Sequence, residues 1–216
     1  MALLNNNSNY IFYHLYKCAG NSLRDMINPT PHLAHIYKPK YQCVELGNAH
    51  SLPRDIQKIY YDRGQKDIYD NYFKFTIVRN PFDWLVSTYY YIIKNTLHNE
   101  NTKVGGMTFS QFLTYYVDVM MKNQGKELGH NKVCTLYEYV SDEKGNIIVD
   151  YIGKYETLND DMKFICAKIG VPYTQVPLIN VNNKRQRGYK QYYDADTIKF
   201  VEENFAKDLE YFNYKF

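Results

Sequence analysis

A lysine, a glycine and several small residues stand where a strand pattern gives way to a helix pattern, in the segment YIFYHLYKCAGNSLRDMI, residues 10–27. The N-terminus of a helix presents backbone N–H groups and a partial positive charge, so a turn of small residues there wraps donors around an anionic oxygen, and Lys17 adds a full charge. The segment predicts a phosphate or sulfate site. A plain strand–turn–helix connection, with Gly20 for the turn and Lys17 for solubility, explains these residues equally well.

A second segment, TIVRNPFDWLVSTYY at residues 76–90, repeats the arrangement. Arg79 would project from the end of a strand, and Ser87 lies in the second turn of a helix that Pro81 starts. Both can bind one anion, arginine through its fork of donors and serine through its hydroxyl. The alternative is an ion pair between Arg79 and Asp83 at the helix start. Two anion sites at neighbouring strand ends predict a ligand with two separated anionic groups.

The first segment is not an ordinary ATP-binding loop. In the pattern G-x-x-x-x-G-K-[ST] the lysine directly follows a glycine, whereas here Lys17 precedes Gly20 by three residues. A P-loop-like kinase of a small hydroxylated substrate therefore remains an alternative that lacks its expected motif.

The elements that must position these residues alternate along the chain. We predict strands at Tyr10–Leu15, Tyr41–Leu46, Tyr72–Val78 and up to about Ile152, and helices at Asn21–Ile27, Pro53–Arg63, Pro81–Lys94, Phe109–Lys122, Thr157–Ile169 and Asp194–Asp208. The pair Thr157 and Asp160 resembles a capping box. Alternating strands and helices predict an α/β fold with a mostly parallel sheet, which binds ligands at the carboxyl ends of its strands.

Size and composition limit the possible classes of protein. The 216 residues suit one domain, predicted over residues 1–216, and a net charge of +3 does not favour nucleic acid as a partner. The four cysteines are widely spaced, so they indicate neither a zinc site nor a disulfide framework. No run approaches the roughly 18 apolar residues of a membrane span, so we expect a soluble, cytoplasmic protein.

Together, HLYKCAGNS and VRNPFDWLVSTYY resemble the two nucleotide signatures of sulfotransferases that use 3′-phosphoadenosine-5′-phosphosulfate (PAPS), especially the branch of the carbohydrate (Golgi-type) sulfotransferases. The segments DYIGKYETLNDDM and YYDADTIKFVEENFAKDLEYFNY extend this resemblance over almost the whole chain. It implies a three-layer P-loop-like fold, with helices flanking a central sheet, and PAPS as co-substrate without a metal. The implied acceptor is a hydroxyl on a glycan or another small molecule.

The resemblance also assigns residues to parts of the donor. Those implied to hold the 5′-phosphosulfate are Lys17, Ala19, Gly20, Asn21 and Ser22. Those implied to hold the 3′-phosphate are Arg79, Ser87, Lys184, Arg185, Arg187 and Gly188, and Tyr155 is implied to contact the adenine. A solvated charge run is the alternative for the basic residues at 184–187, and simple packing is the alternative for Tyr155. The chain departs from the family pattern at Tyr16, Cys18 and Asn21, and at Trp84, where an arginine is frequent.

Sulfuryl transfer needs a base for the acceptor hydroxyl and a cation for the departing phosphate. Lys17 suits the second role. His50, in ELGNAHSLP, stands where the carbohydrate branch carries its catalytic histidine, and we predict it as the base. His130 and Glu45 are weaker candidates, and His14 is expected to pack locally. A catalytically inactive nucleotide-binding module is the remaining alternative.

Overall fold

The computed structural model describes residues 2–27, 44–46, 51–96, 103–121, 135–176 and 188–216. The chain divides into two compact units, which we call unit 1 (Met1–Val78 with Glu138–Ile179) and unit 2 (Arg79–Tyr137 with Asn180–Phe216). The prediction of one domain over residues 1–216 stays a prediction. Within the described ranges, no helix is long and apolar enough to cross a membrane.

Unit 1 contains a sheet whose described strands are β1 (Ala2–Asn5), β2 (Tyr10–Tyr13), β3 (Val44–Leu46), β4 (Phe73–Val78) and β5 (Tyr151–Lys154). They lie in the order β3-β1-β2-β4-β5. The pairs β2–β4 and β4–β5 are parallel, whereas β1 is antiparallel to both β2 and β3. Every one of these strands except β1 therefore runs in the same direction, which confirms the predicted α/β class with a mostly parallel sheet.

The strand β1 is absent from the sequence predictions. It forms a hairpin with β2, in register from Ala2 opposite Tyr13 to Asn5 opposite Tyr10. The turn between them consists of Asn6, Asn7, Ser8 and Asn9, and Asn9 has a positive φ of 50°. Asparagine tolerates that conformation better than most residues, so the asparagine run between two apolar runs was the signal for this turn.

The described part of unit 1 contains four helices: α1 (Gly20–Ile27), α2 (Pro53–Asp62), α3 (Lys66–Asp70) and α7 (Leu158–Ile169). The predictions of α1, α2 and α7 are confirmed to within a residue or two, but α3 was not predicted. The buried ammonium of Lys74 donates to the last two carbonyls of α3, Tyr69 O at 3.5 Å and Asp70 O at 3.4 Å, and it pairs with Asp150 at 3.0 Å. This lysine caps the end of α3 from the start of β4.

Unit 2 is helical where it is described, with α4 (Pro81–Thr96), α5 (Phe109–Tyr115), α8 (Ala195–Asn204) and α9 (Ala206–Tyr211). A short helix, α6 (Leu136–Val140), spans the boundary in sequence between the units. The helix predicted from Phe109 changes to a π-helical turn at Tyr116–Met121, and the helix predicted over Asp194–Asp208 is interrupted at Phe205.

The capping box predicted at Thr157 is wrong. Thr157 precedes α7, but its hydroxyl donates to the Asp161 carboxylate and makes no capping bond to the backbone. Capping boxes occur instead at α5, between Thr108 and Gln111, and at α8, between Asp194 and Thr197.

Candidate functional site

The connection from β2 to α1 has an uncommon backbone conformation. Lys17 has φ 58° and Ala19 has φ 61°, whereas Cys18 between them is not among the residues of positive φ. The left-handed region costs a residue with a β-carbon about 1–2 kcal/mol, and such strain concentrates at functional sites. Left-handed residues bend the chain tightly, and a tight turn of this kind before a helix can present backbone N–H groups to an anion. This loop can therefore hold a phosphate or sulfate group.

The loop runs directly into α1. The N–H of Leu23 donates to Ala19 O at 3.1 Å and makes an early hydrogen bond of the helix, so the N–H groups of Gly20, Asn21 and Ser22 belong to its first turn. Lys17 is half-buried and Asn21 is exposed, while Gly20 and Ser22 are buried. The structure thus places all five residues predicted to hold the 5′-phosphosulfate in one loop and one helix start.

Gly20 is required here by the close approach of a side chain. A β-carbon at this position would lie 1.7 Å from Cδ2 of His14 and 2.0 Å from its Nε2. The His14 ring is half-buried and stacks on Phe12, with ring centroids 6.3 Å apart and planes 9° apart. His14 therefore packs locally, as predicted, and its ring lies against Gly20 at the start of α1.

Buried hydroxyl groups fix the end of β2 just before the loop. The Thr76 hydroxyl donates to Tyr13 O at 2.7 Å, and the Tyr13 and Tyr69 hydroxyl oxygens lie 2.8 Å apart. Burial is the main cause that raises the pKa of Tyr13 well above its ordinary value, and the neighbouring Tyr69 adds to it. The hydrogen bond between the two phenols holds the strand end in a fixed position.

Arg79 in unit 2 is buried and pairs with Asp83 one helical turn further on. Its Nε donates to Asp83 Oδ2 at 2.6 Å, and its Nη2 lies 2.5 Å from the same oxygen. The ion pair that the sequence offered as an alternative is thus present. A guanidinium has five N–H donors, and those on Nε and Nη2 face the Asp83 carboxylate.

Ser87 lies two turns into α4 and is half-buried, whereas Gly188 is exposed at the start of a 3₁₀ turn, Tyr189–Tyr192. The segment after Gly188 is attached to α4. Tyr193 donates to Phe82 O at 2.8 Å, and Tyr90 donates to the Tyr192 hydroxyl at 3.1 Å. Within unit 2, these bonds connect the residues that follow Gly188 to the helix that carries Ser87.

Trp84 stands at a position where the family pattern often has an arginine, and in this chain it is a core residue. It is 2% exposed and makes edge-to-face contacts with Tyr116 and Phe205, at centroid distances of 5.8 and 6.2 Å. Its role in this chain is to pack unit 2.

Tyr155 directly follows β5 and is half-buried, in a 3₁₀ turn that leads into α7. Because β2 and β5 both run parallel to β4, the Lys17 loop and the Tyr155 turn leave the same edge of the unit 1 sheet, one strand apart. Asp161, which the sequence analysis did not identify, accepts hydrogen bonds from both sides of this turn.

The remaining predicted residues lie outside the described ranges; they are His50, Lys184, Arg185 and Arg187. The weaker base candidate His130 lies outside them as well, and of Glu45 only the strand position in β3 is described. In the ranges that are described, no group of three or more His, Cys, Asp or Glu side chains could hold a metal ion.

A parallel sheet whose strand ends lead into anion-binding loops is typical of enzymes that handle phosphate-like groups, and comparison with known proteins gives the class. Residues 2–215 match the Sulfotransferase family, and the chain belongs to that family. Among curated proteins it is similar to carbohydrate sulfotransferase 10 of Xenopus laevis, with 25% identity over 171 residues. That match covers 68% of this chain and 48% of the relative, so the chain spans about half the length of the frog protein.

Proposed function

We propose that this protein transfers a sulfuryl group from PAPS to a hydroxyl group of a glycan or another small hydroxylated molecule. The observation that carries the proposal is the β2–α1 connection, where Lys17 and Ala19 hold left-handed conformations directly before a helix start. Membership of the Sulfotransferase family supports a sulfuryl donor, and the name of the frog relative supports a carbohydrate acceptor.

The residues fit the anionic groups of such a donor. Lys17 and the backbone N–H groups of the loop would bind the 5′-phosphosulfate, because the loop combines a cation, a concave backbone and a helix N-terminus. Arg79 and Ser87 would bind the 3′-phosphate together with Lys184, Arg185, Arg187 and Gly188, and Tyr155 would contact the adenine. These roles come from the family resemblance, and the conformation of the loop supports the first of them.

The reaction needs one bond to form and one to break. The acceptor oxygen bonds to sulfur while the bond between sulfur and the 5′-phosphate oxygen breaks, and 3′-phosphoadenosine-5′-phosphate (PAP) leaves. In this proposal His50 accepts the hydroxyl proton, and Lys17 offsets the charge that develops on the leaving phosphate. Positioning and electrostatics supply most of the catalysis, as they do in phosphoryl transfer.

Transfer of radiolabel from PAPS to a panel of glycans and hydroxylated small molecules tests the proposal. We expect product with the wild-type protein and at least about a hundredfold less with Lys17→Ala or His50→Ala, the scale typical of a lost charge stabiliser or base. Undiminished transfer by both variants would contradict the residue assignments. Phosphoryl transfer from ATP and Mg²⁺ would favour the kinase, and PAP binding without turnover would favour an inactive module.

A further inference from the structure

Asp161, in the first turns of α7, is the centre of a hydrogen-bond cluster in unit 1. Its Oδ1 accepts from the Tyr151 hydroxyl at 2.6 Å, and its Oδ2 accepts from the Lys154 N–H at 3.0 Å and from the Thr157 hydroxyl at 2.6 Å. One half-buried carboxylate thus binds the beginning of β5, the end of β5 and the residue before α7. We call these four residues the Asp161 cluster.

Two residues of the Asp161 cluster flank Tyr155 in the sequence. The donors at Lys154 and Thr157 lie immediately before and two residues after it, and the backbone between them is the 3₁₀ turn Tyr155–Thr157. Three donors to one carboxylate leave this short turn little freedom, because each bond fixes a different part of the chain. The direction in which Tyr155 leaves the strand is therefore set from Asp161.

The sequence provides the space that this arrangement needs. A β-carbon on Gly153 would lie 3.0 Å from Cβ of Asp161 and 2.5 Å from Cδ1 of Ile77, so only glycine lets α7 approach β5 this closely. The carboxylate is also in the favourable place for a negative charge, near a helix N-terminus. Its oxygens receive a phenol, an amide and a hydroxyl, which makes Asp161 an anchor and not a proton acceptor for the reaction.

We propose that Asp161 is the positioning residue for recognition of the donor's adenine, and that it acts through Tyr155. The inference rests on the proposed function, because it takes the adenine contact of Tyr155 from there. It goes further by assigning the selectivity for the base to a carboxylate that touches no part of the donor. Loss of the carboxylate should weaken binding of the base and leave binding of the phosphate groups unchanged.

Two probes separate these effects: PAP, and ribose 3,5-bisphosphate, which carries both phosphate groups but no base. By titration calorimetry, Asp161→Asn should lower the affinity for PAP about tenfold, since the amide oxygen replaces only one of the two accepting carboxylate oxygens and the amide nitrogen accepts no hydrogen bond. Its affinity for the ribose bisphosphate should equal that of the wild type. Thr157→Val, which removes one donor and keeps the charge, should give a smaller loss in the same direction. Asp160→Asn is the matched control, because Asp160 pairs only with the exposed Lys163 in its described contacts.

Tyr155→Ala, alone and combined with Asp161→Asn, tests whether the effect passes through the tyrosine. If it does, the double variant binds PAP as weakly as Tyr155→Ala does by itself. Additive losses, an unchanged PAP affinity in Asp161→Asn, or equal losses for both probes would each overturn the inference. Near-UV circular dichroism of Asp161→Asn shows whether equal losses come from misfolding of the variant. A wild-type protein that binds no PAP overturns the proposed function together with this inference, whereas normal wild-type binding with an unaffected variant overturns the inference alone.

Discussion

The imidazole of His14 lies in the space that a side chain on Gly20 would need, with Cδ2 only 1.7 Å from the position of a β-carbon there. His14, the residue directly after β2, thereby sets the position of the first residue of α1, and the strained loop between them is held at both ends. The proposed anion site depends on this contact, because the strained conformations of Lys17 and Ala19 persist only while the flanking elements fix them.

Gly20→Ala should therefore destabilise the protein, since the half-buried His14 ring must leave its place on Phe12. We expect a loss of about 1–2 kcal/mol in the free energy of unfolding, at the lower end for overpacking because alanine is the better helix former. Urea denaturation measures it. Gly106→Ala is the control, because no atom lies within 4 Å of a β-carbon there. In a His14→Ala background the same Gly20→Ala change should no longer destabilise, and a persistent loss would contradict the steric explanation.

Ala19→Gly should have the opposite effect on stability. Glycine removes the left-handed strain at φ 61°, which stabilises the fold by about 1–2 kcal/mol. The greater conformational entropy of glycine in the unfolded chain offsets about 0.5–1 kcal/mol of this gain. The expected gain is about 0.5–1 kcal/mol, with PAP affinity within about twofold of wild type because the backbone donors remain. Ala167→Gly, on the exposed side of α7, should instead cost about 1 kcal/mol. Equal losses at the two positions would show that the loop is unstrained.

The capping box of α8 gives a pH dependence with a definite sign. Hydrogen bonds from the hydroxyl and then the backbone N–H of Thr197 hold the pKa of the Asp194 carboxyl below its ordinary value. Because the pKa of this carboxyl is lower in the folded protein than in the unfolded chain, the ionised group stabilises the fold above the unfolded-state pKa of about 3.9. This stabilisation is lost as the pH falls through the folded-state pKa. Asp194→Asn keeps a good cap without a titrating group. The two proteins should have similar urea midpoints at pH 7, and the wild type should lose more stability on acidification. Parallel curves down to about pH 2.5 would refute this assignment.

The sequence predicted the elements whose patterns are local. Alternation of apolar strands and amphipathic helices was sufficient for β2, β4, α4 and the α/β class, and the lysine and glycine before Asn21 pointed to the connection that we propose as the anion loop. The sequence did not predict the left-handed conformations at Lys17 and Ala19, because a positive φ is usually indicated by glycine or asparagine. The contact of His14 with Gly20 and the bonds of Asp161 join residues from different elements, which only the folded chain brings together. At Thr157 the capping pattern failed because its hydroxyl donates to the carboxylate of Asp161, four residues further along, and not to the backbone of the helix start.

Arg79 and Asp83 form a pair that is 8% and 12% exposed, so removal of either partner leaves a charge that is poorly solvated. Arg79→Ala should cost about 3–5 kcal/mol of unfolding free energy, and the double variant Arg79→Ala/Asp83→Ala should cost less than Arg79→Ala alone. Urea denaturation of the two variants and the wild type gives the comparison. If the double variant is the less stable of the two, the pair is not the source of the loss.

Arg79→Lys tests the role of the same residue in binding while it keeps a positive charge beside Asp83. Lysine lacks the planar fork that can face Asp83 and a phosphate at once, so the change is not conservative at such a site. We expect calorimetry to show an affinity for PAP lowered about tenfold or more and an unchanged affinity for adenosine 5′-phosphate, which has no 3′-phosphate. Arg63→Lys, on an exposed residue of unit 1, should change neither. Equal losses for the two nucleotides would assign Arg79 to the structure of unit 2, because only a contact with the 3′-phosphate distinguishes these ligands.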